Sequence, residues 1–194
     1  MNAMFILSVM AVAVVSCTTA CTSHHRVTKG ISHNWPTNSH INAGKTYKVI
    51  LPKESFMTIQ FEAKGKPGFG IINRGLQAFG SKEVFGWYCE INIKLENTNE
   101  FSLPTEAESS LAYNLEDKLS ELISGNNQAH PNALFVGHLI NQGVMTCMWM
   151  VNNPEYANHR LQDYMATDTY PRHFEYAIEK DTTWKNIDHF LHNQ

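Results

Sequence analysis

Trp87-Tyr88-Cys89-Glu90-Ile91-Asn92-Ile93-Lys94-Leu95 alternates without a break, with Trp87, Cys89, Ile91, Ile93 and Leu95 on one side and Tyr88, Glu90, Asn92 and Lys94 on the other. An extended chain points successive side chains to opposite faces, so this spacing predicts a half-buried strand. A helix is expected next. Thr105 with Glu108 has the form of a capping box, Leu111, Leu115, Leu119, Leu122 and Ile123 recur every three or four positions, and Gly125 stops the run. Ala133 to Ile140 and Val144 to Val151 read as strands joined by an Asn141-Gln142-Gly143 hairpin turn. Asn153 then caps a helix with Pro154 at its first position and Ala157, Leu161, Tyr164 and Met165 as its apolar stripe, closed by Tyr170-Pro171. Phe174, Tyr176 and Ile178 alternate as a fourth strand, and Asp181 or Thr182 caps a last helix holding Trp184, Ile187, Phe190 and Leu191.

The order strand, helix, strand, strand, helix, strand predicts an α+β domain. More finely, it predicts a ferredoxin-like (βαββαβ) antiparallel sheet with the strand from Trp87 inside it, beside the one from Val144, and two helices on one face. Two elements are added to that core: an N-terminal hairpin (Phe56 to Ala63, the turn Gly65-Lys66-Pro67-Gly68, Phe69 to Asn73) and the C-terminal helix. Gly75 to Lys82 reads as a loop. Val144-Met145-Thr146-Cys147-Met148-Trp149-Met150-Val151 is apolar on both faces, as a strand buried on both sides would be. The second sheet face is therefore expected to be covered by the added elements or by another copy of the chain, as a homodimer.

Upstream the composition changes. Residues 22–55 are rich in Ser, Thr, Asn, His and Gly and show no apolar period, which predicts a flexible tether with no packed element before Phe56. Met4 to Ser16 is apolar or small, too short for the roughly 20 residues that cross a bilayer as a helix, but of the length of a secretory signal core. Val14-Val15-Ser16-Cys17 resembles the pattern before the lipidated cysteine of bacterial lipoproteins, and Thr18-Thr19-Ala20-Cys21 is a poorer version. Residues 1–21 are thus expected to be a signal and lipoprotein segment with Cys17, or alternatively Cys21, as the acylated residue. Met1-Asn2-Ala3 lacks the Lys or Arg such segments usually carry. The expected location is exported and membrane-anchored, in a bacterial cell envelope, with residues 56–194 as the single folded domain.

The 194 residues carry a formal net charge of -3, with Lys and Arg scattered rather than clustered, which excludes the basic face of a nucleic-acid binder. The ten histidines fall on separate elements or in the tether, no His-Glu-x-x-His or zinc-finger spacing occurs, and no metal or other cofactor is expected. Cys89 and Cys147 lie on strands expected to be neighbours and are a possible disulfide, two buried free thiols being the plainer reading. Glu90, Asn92 and Lys94, with Glu175 and Glu179 on a neighbouring strand, line a polar sheet face, and His138 sits among apolar residues. Either Glu90 or His138 could serve acid–base chemistry; a solvated face and a structural histidine account for them as well.

One resemblance covers nearly all the chain after the tether. Its marks are the Gly-Lys-Pro turn at Gly65, the Trp87-Tyr88 strand, and the Leu103-Pro104 approach to the helix running to Leu119. The Val136-Gly137-His138-Leu139 hairpin, the Asn153-Pro154-Glu155 helix start and Asp181-Thr182-Thr183-Trp184 follow in the same order. This ordered set resembles the bacterial family known as domain of unknown function 695. The resemblance implies no reaction and no catalytic residues. The function expected is a non-enzymatic protein-interaction module, with membrane contact through the lipid anchor and an unknown protein partner or a second copy. The alternative is a small hydrolase-type enzyme with a site at the sheet surface.

Overall fold

A computed structural model describes residues 32–36 and 46–192 of the chain, with side chains from Val49 onward. The expected signal and lipoprotein segment, with Cys17 and Cys21, lies outside the described residues. Two short strands, β1 (Ser32–Pro36) and β2 (Thr46–Ile50), pair antiparallel, and the Val49 side chain is fully buried. The expectation that nothing packs before Phe56 is corrected by this pair: one apolar residue near a strand end, anchored in the cluster that also holds Ile72, Met148 and Trp184, needs no periodic pattern around it.

The main sheet has the order β3-β4-β6-β7-β5-β8, and every adjacent pair is antiparallel. Its strands are β3 (Phe56–Ala63), β4 (Lys66–Asn73), β5 (Trp87–Lys94), β6 (Ala133–Asn141), β7 (Val144–Val151) and β8 (Phe174–Lys180). As expected, β5 is interior and lies beside β7. The N-terminal hairpin extends the sheet beyond β6 instead of covering it. Its turn is the two residues Lys64 and Gly65, both at positive φ, so the returning strand starts at Lys66, three residues earlier than Phe69. Gln142 and Gly143 make the same kind of turn between β6 and β7.

Helices α1 (Glu106–Ser124) and α2 (Pro154–Ala166) cover one face. Leu115, Leu119, Ile123, Ala157 and Leu161 pack there on Cys89, Ile91, Cys147, Trp149 and Phe174. The stripe on α1 is rotated from the expected one. Leu111 is 37% exposed, whereas Ala112 and the two carboxylates Glu108 and Glu116 are buried.

The other face is covered over half its extent by the chain itself. Leu76 and Phe79, from the stretch expected to be a plain loop, and Val84 and Phe85 just after it join Trp184, Ile187 and Leu191 from the C-terminal segment that leads into and includes α3 (Lys185–His192). They close over Ile72, Tyr88, Val136, Met148 and Met150. Tight 3-10 turns at Arg74–Leu76 and Lys82–Phe85 aim these side chains inward, and such turns leave no helical or strand period to read. Trp184 is the plug: fully buried, it donates through Nε1 to the carbonyls of Phe85 (2.9 Å) and Lys82 (3.1 Å). Asp181 anchors α3, its two carboxylate oxygens accepting from the Lys185 and Asn186 amides at 2.9 Å each. Among the described residues no helix is long and apolar enough to cross a membrane.

Candidate functional site

The half of the second face that α3 leaves open is polar. Strict alternation along β5 sends Glu90, Asn92 and Lys94 to it, and the register places them across from Ala177 and Glu175 of β8 and from Met148, Thr146 and Val144 of β7. The Thr146 hydroxyl donates to Asn92 Oδ1 (2.7 Å), Asn92 Nδ2 donates to Glu90 Oε1 (3.0 Å), and the Tyr88 hydroxyl donates to Glu90 Oε2 (2.8 Å). Donors from both sides thus converge on one carboxylate, which among the described residues has no ammonium or guanidinium partner. Tyr88 stands where the apolar half meets the polar half. Burial, and then the bond to Glu90, push its hydroxyl far above the usual tyrosine range, so it stays a donor. Asn186 of α3 donates to Glu179 Oε1 and closes the far end. At the near end an open depression of about 900 Å³ runs over Asn92, Lys94, Val144, His173 and Glu175.

His138 is on the opposite face. It pairs with Cys147 in register and points with it under α1, where Nδ1 lies 2.9 Å from Glu116 Oε1 and 3.1 Å from Oε2. Tyr113 lies over the imidazole at 5.4 Å between ring centroids. Both partners are buried, and desolvation raises the Glu116 carboxyl above its usual range while His138 pulls the other way. Glu90 and His138, the two expected acid–base candidates, are therefore separated by the thickness of the sheet and share no site.

Cys89 and Cys147 are both fully buried free thiols on the helix-covered face. The register sets Cys89 across from Trp149 and Cys147 across from Ile91, a two-residue offset. Diagonal neighbours in a sheet sit about 7–8 Å apart at Cα, beyond the usual reach of a disulfide. Burial pushes Cys89 up to about 12 and Cys147 well above its ordinary value, so neither thiol is a nucleophile in this state.

Three charged groups have roles that sequence reading did not find: Glu108, Arg172 and Glu116. Glu108 does cap α1 with Thr105, whose Oγ1 accepts from the Glu108 amide at 3.3 Å, but its carboxylate does not return to close the box. It is diverted to Arg172, which donates from Nε and Nη2 at 2.7 Å each, and also accepts from the Glu96 amide (3.0 Å) and Asn97 Nδ2 (2.9 Å). The bonds from Arg172 first, then those from Glu96 and Asn97, lower the Glu108 carboxyl to about 2 against the opposing effect of burial. The pair ties the segment before β8 to the start of α1 and is architectural. Glu116 follows Ala112 by four residues, and both lie on the inward stripe that the structure shows.

No curated protein matches the chain, and no solved structure matches it. The sequence profile of the family of unknown function DUF695 matches residues 62–192, from the end of β3 to the last residue of α3. That span includes the polar face, the buried Glu116–His138 pair and the Trp184 plug. The chain is thus a member of the DUF695 family.

Proposed function

We propose that this chain is a non-enzymatic binding module of a bacterial cell envelope, exported through residues 1–21, anchored by acylation of Cys17, and engaging a protein partner through the open polar half of its sheet. Under this reading the core is ferredoxin-like: β8-β5-β7-β6 is the strand order of that arrangement, and the β3–β4 hairpin and α3 are additions to it. The observation that carries the proposal is the hydrogen-bonded file Thr146–Asn92–Glu90–Tyr88, flanked by exposed Glu175, Glu179 and Lys94. Its groups are fixed before any partner arrives, so little side-chain entropy is lost on docking. Ala177, across from Glu90 in register, is exposed and small, which leaves the middle of the face flat.

The test is a photocrosslinking residue placed at position 177 of the full chain in the envelope of its host, with position 106 on the far helix as control. A discrete adduct from 177 that is absent from 106, and lost when Glu175 and Glu179 are changed to Lys, is the expected result. Equal adducts from both positions would sink it. So would turnover of a model ester or glycan by the purified chain that Glu90→Gln abolishes, which would make the site an enzyme's. Incorporation of labelled palmitate, lost in Cys17→Ala and kept in Cys21→Ala, tests the anchor.

A further inference from the structure

Away from the sheet face, a groove runs between the C-terminal end of α1, the start of β6 and the first turn of α2. It consists of two adjoining hollows of about 180 and 310 Å³, which share Ser124, Gly125 and Pro131. Its frame is rigid. Asn132 donates to the Ile123 and Asn153 carbonyls (3.1 Å each) and accepts from the Asn153 amide (2.8 Å), locking the end of α1 to the cap of α2. Gly125 has φ +74°, and a side chain there would meet the Tyr156 hydroxyl at 2.9 Å. Its lack of one lets the Tyr156 ring, 38% exposed, lie across the groove.

The lining is amide-rich, with few ionisable groups. Among the described residues, Glu54 is the one carboxylate in the two hollows, His130 lines the larger of them, and no Lys or Arg lines either. Three amides are held at one end and free at the other. Asn127 and Asn153 accept backbone amides through Oδ1 and leave their NH₂ groups as donors. Asn152 donates through Nδ2 to the Val84 carbonyl at 2.6 Å and leaves its oxygen as an acceptor. Fixed neutral donors and acceptors match hydroxyl groups, each of which both donates and accepts; an anionic ligand would want a guanidinium or ammonium group, and none lines the groove among the described residues. An exposed tyrosine ring suits the C–H face of a sugar, because it is apolar on its faces and polar at its tip. The smaller hollow adds an apolar wall of Leu51, Leu134 and Phe135 beside Ser124 and Gln128, a setting for a methyl group next to an amide.

We propose that this groove binds a short neutral glycan of N-acetylated amino sugars. Tyr156 stacks on a sugar ring, the Asn127, Asn152 and Asn153 amides read its hydroxyls, and the Leu51–Phe135 wall takes the acetamido methyl. The inference does not depend on the sheet-face reading, since the two surfaces share no residue.

The experiment is calorimetric titration of the full chain with chitotetraose, and with maltotetraose as a neutral glycan without acetamido groups, each up to about 10 mM. Tyr156→Ala and Gln128→Ala are titrated in parallel, with thermal melts to show that they are folded; Gln128 is exposed, so its variant keeps the test open if Tyr156→Ala fails to fold. The expected result is chitotetraose binding that weakens at least about tenfold in Tyr156→Ala and measurably in Gln128→Ala, with maltotetraose weaker than chitotetraose. Absence of chitotetraose binding, equal affinity for both sugars, or affinity unchanged in the folded variants would overturn the proposal.

Discussion

At the scale of single residues, the two buried carboxylates of α1 have opposite electrostatic fates. Glu108 is held low by Arg172, so its contribution to stability is complete above the unfolded carboxyl value of about 4.3 and is lost as pH falls toward about 2. Breaking the pair strands a buried charge: Arg172→Ala is expected to cost about 3 kcal/mol in urea unfolding at neutral pH, and to flatten the acid limb of the stability curve. Glu116 behaves in reverse. Burial raises its carboxyl, so the group favours the folded state below its unfolded value and that contribution is lost as pH rises through the folded one. Glu116→Gln should therefore gain on the parent as pH goes from about 5 to about 8, read as the difference in urea midpoints; a constant difference would show that the His138 contact cancels the desolvation. Neither carboxylate could be read from sequence as buried. Glu108 looked like half of a capping box, and Arg172, its partner, is 64 residues away.

At the scale of elements, capping and alternation were legible because both are local. Asn153 caps α2 through the Tyr156 amide at 3.1 Å, and Asp181 caps α3, as their neighbours in sequence suggested. Register was not legible. The β4–β6 contact depends on Gly137, at φ +148° beside a bulge, where a Cβ would collide with the Ile71 carbonyl. Gly137→Ala is expected to cost about 3 kcal/mol or more, because backbone on the facing strand cannot move aside as a flexible side chain can. Retention of parental stability would mean that the β4–β6 ladder shifts freely. The thiols make a second check at this scale. With Cys17 and Cys21 changed to Ser, Cys89 and Cys147 should resist labelling in the native protein and both react after denaturation without reductant; a bridged pair would stay silent until reduced.

At the scale of the whole molecule, the decisive feature is how the second sheet face is divided. Trp184, Phe85 and Phe79 seal one half, the Trp184 and Phe79 rings stacking at 5.4 Å between centroids. Trp184→Ala is expected to cost about 3–5 kcal/mol by thermal unfolding, and to expose Met148 and Met150 as an apolar patch that binds a hydrophobic dye. A variant that loses stability without new dye binding would show that the segment from 74 to 85 covers the patch alone. What the sequence by itself determined was the period of the strands and helices from β5 onward, the caps of the helices, and that β7 must be covered on both sides. These follow from contacts within a few residues and from the need to keep apolar surface out of water. What only the tertiary structure decided was the identity of the cover, the shift of the α1 stripe onto Glu108 and Glu116, and the placing of Glu90 and His138 on opposite faces. Each depends on partners distant in sequence, where one residue of register or a few tens of degrees of helix rotation changes which side chain meets which, and no local pattern records that choice.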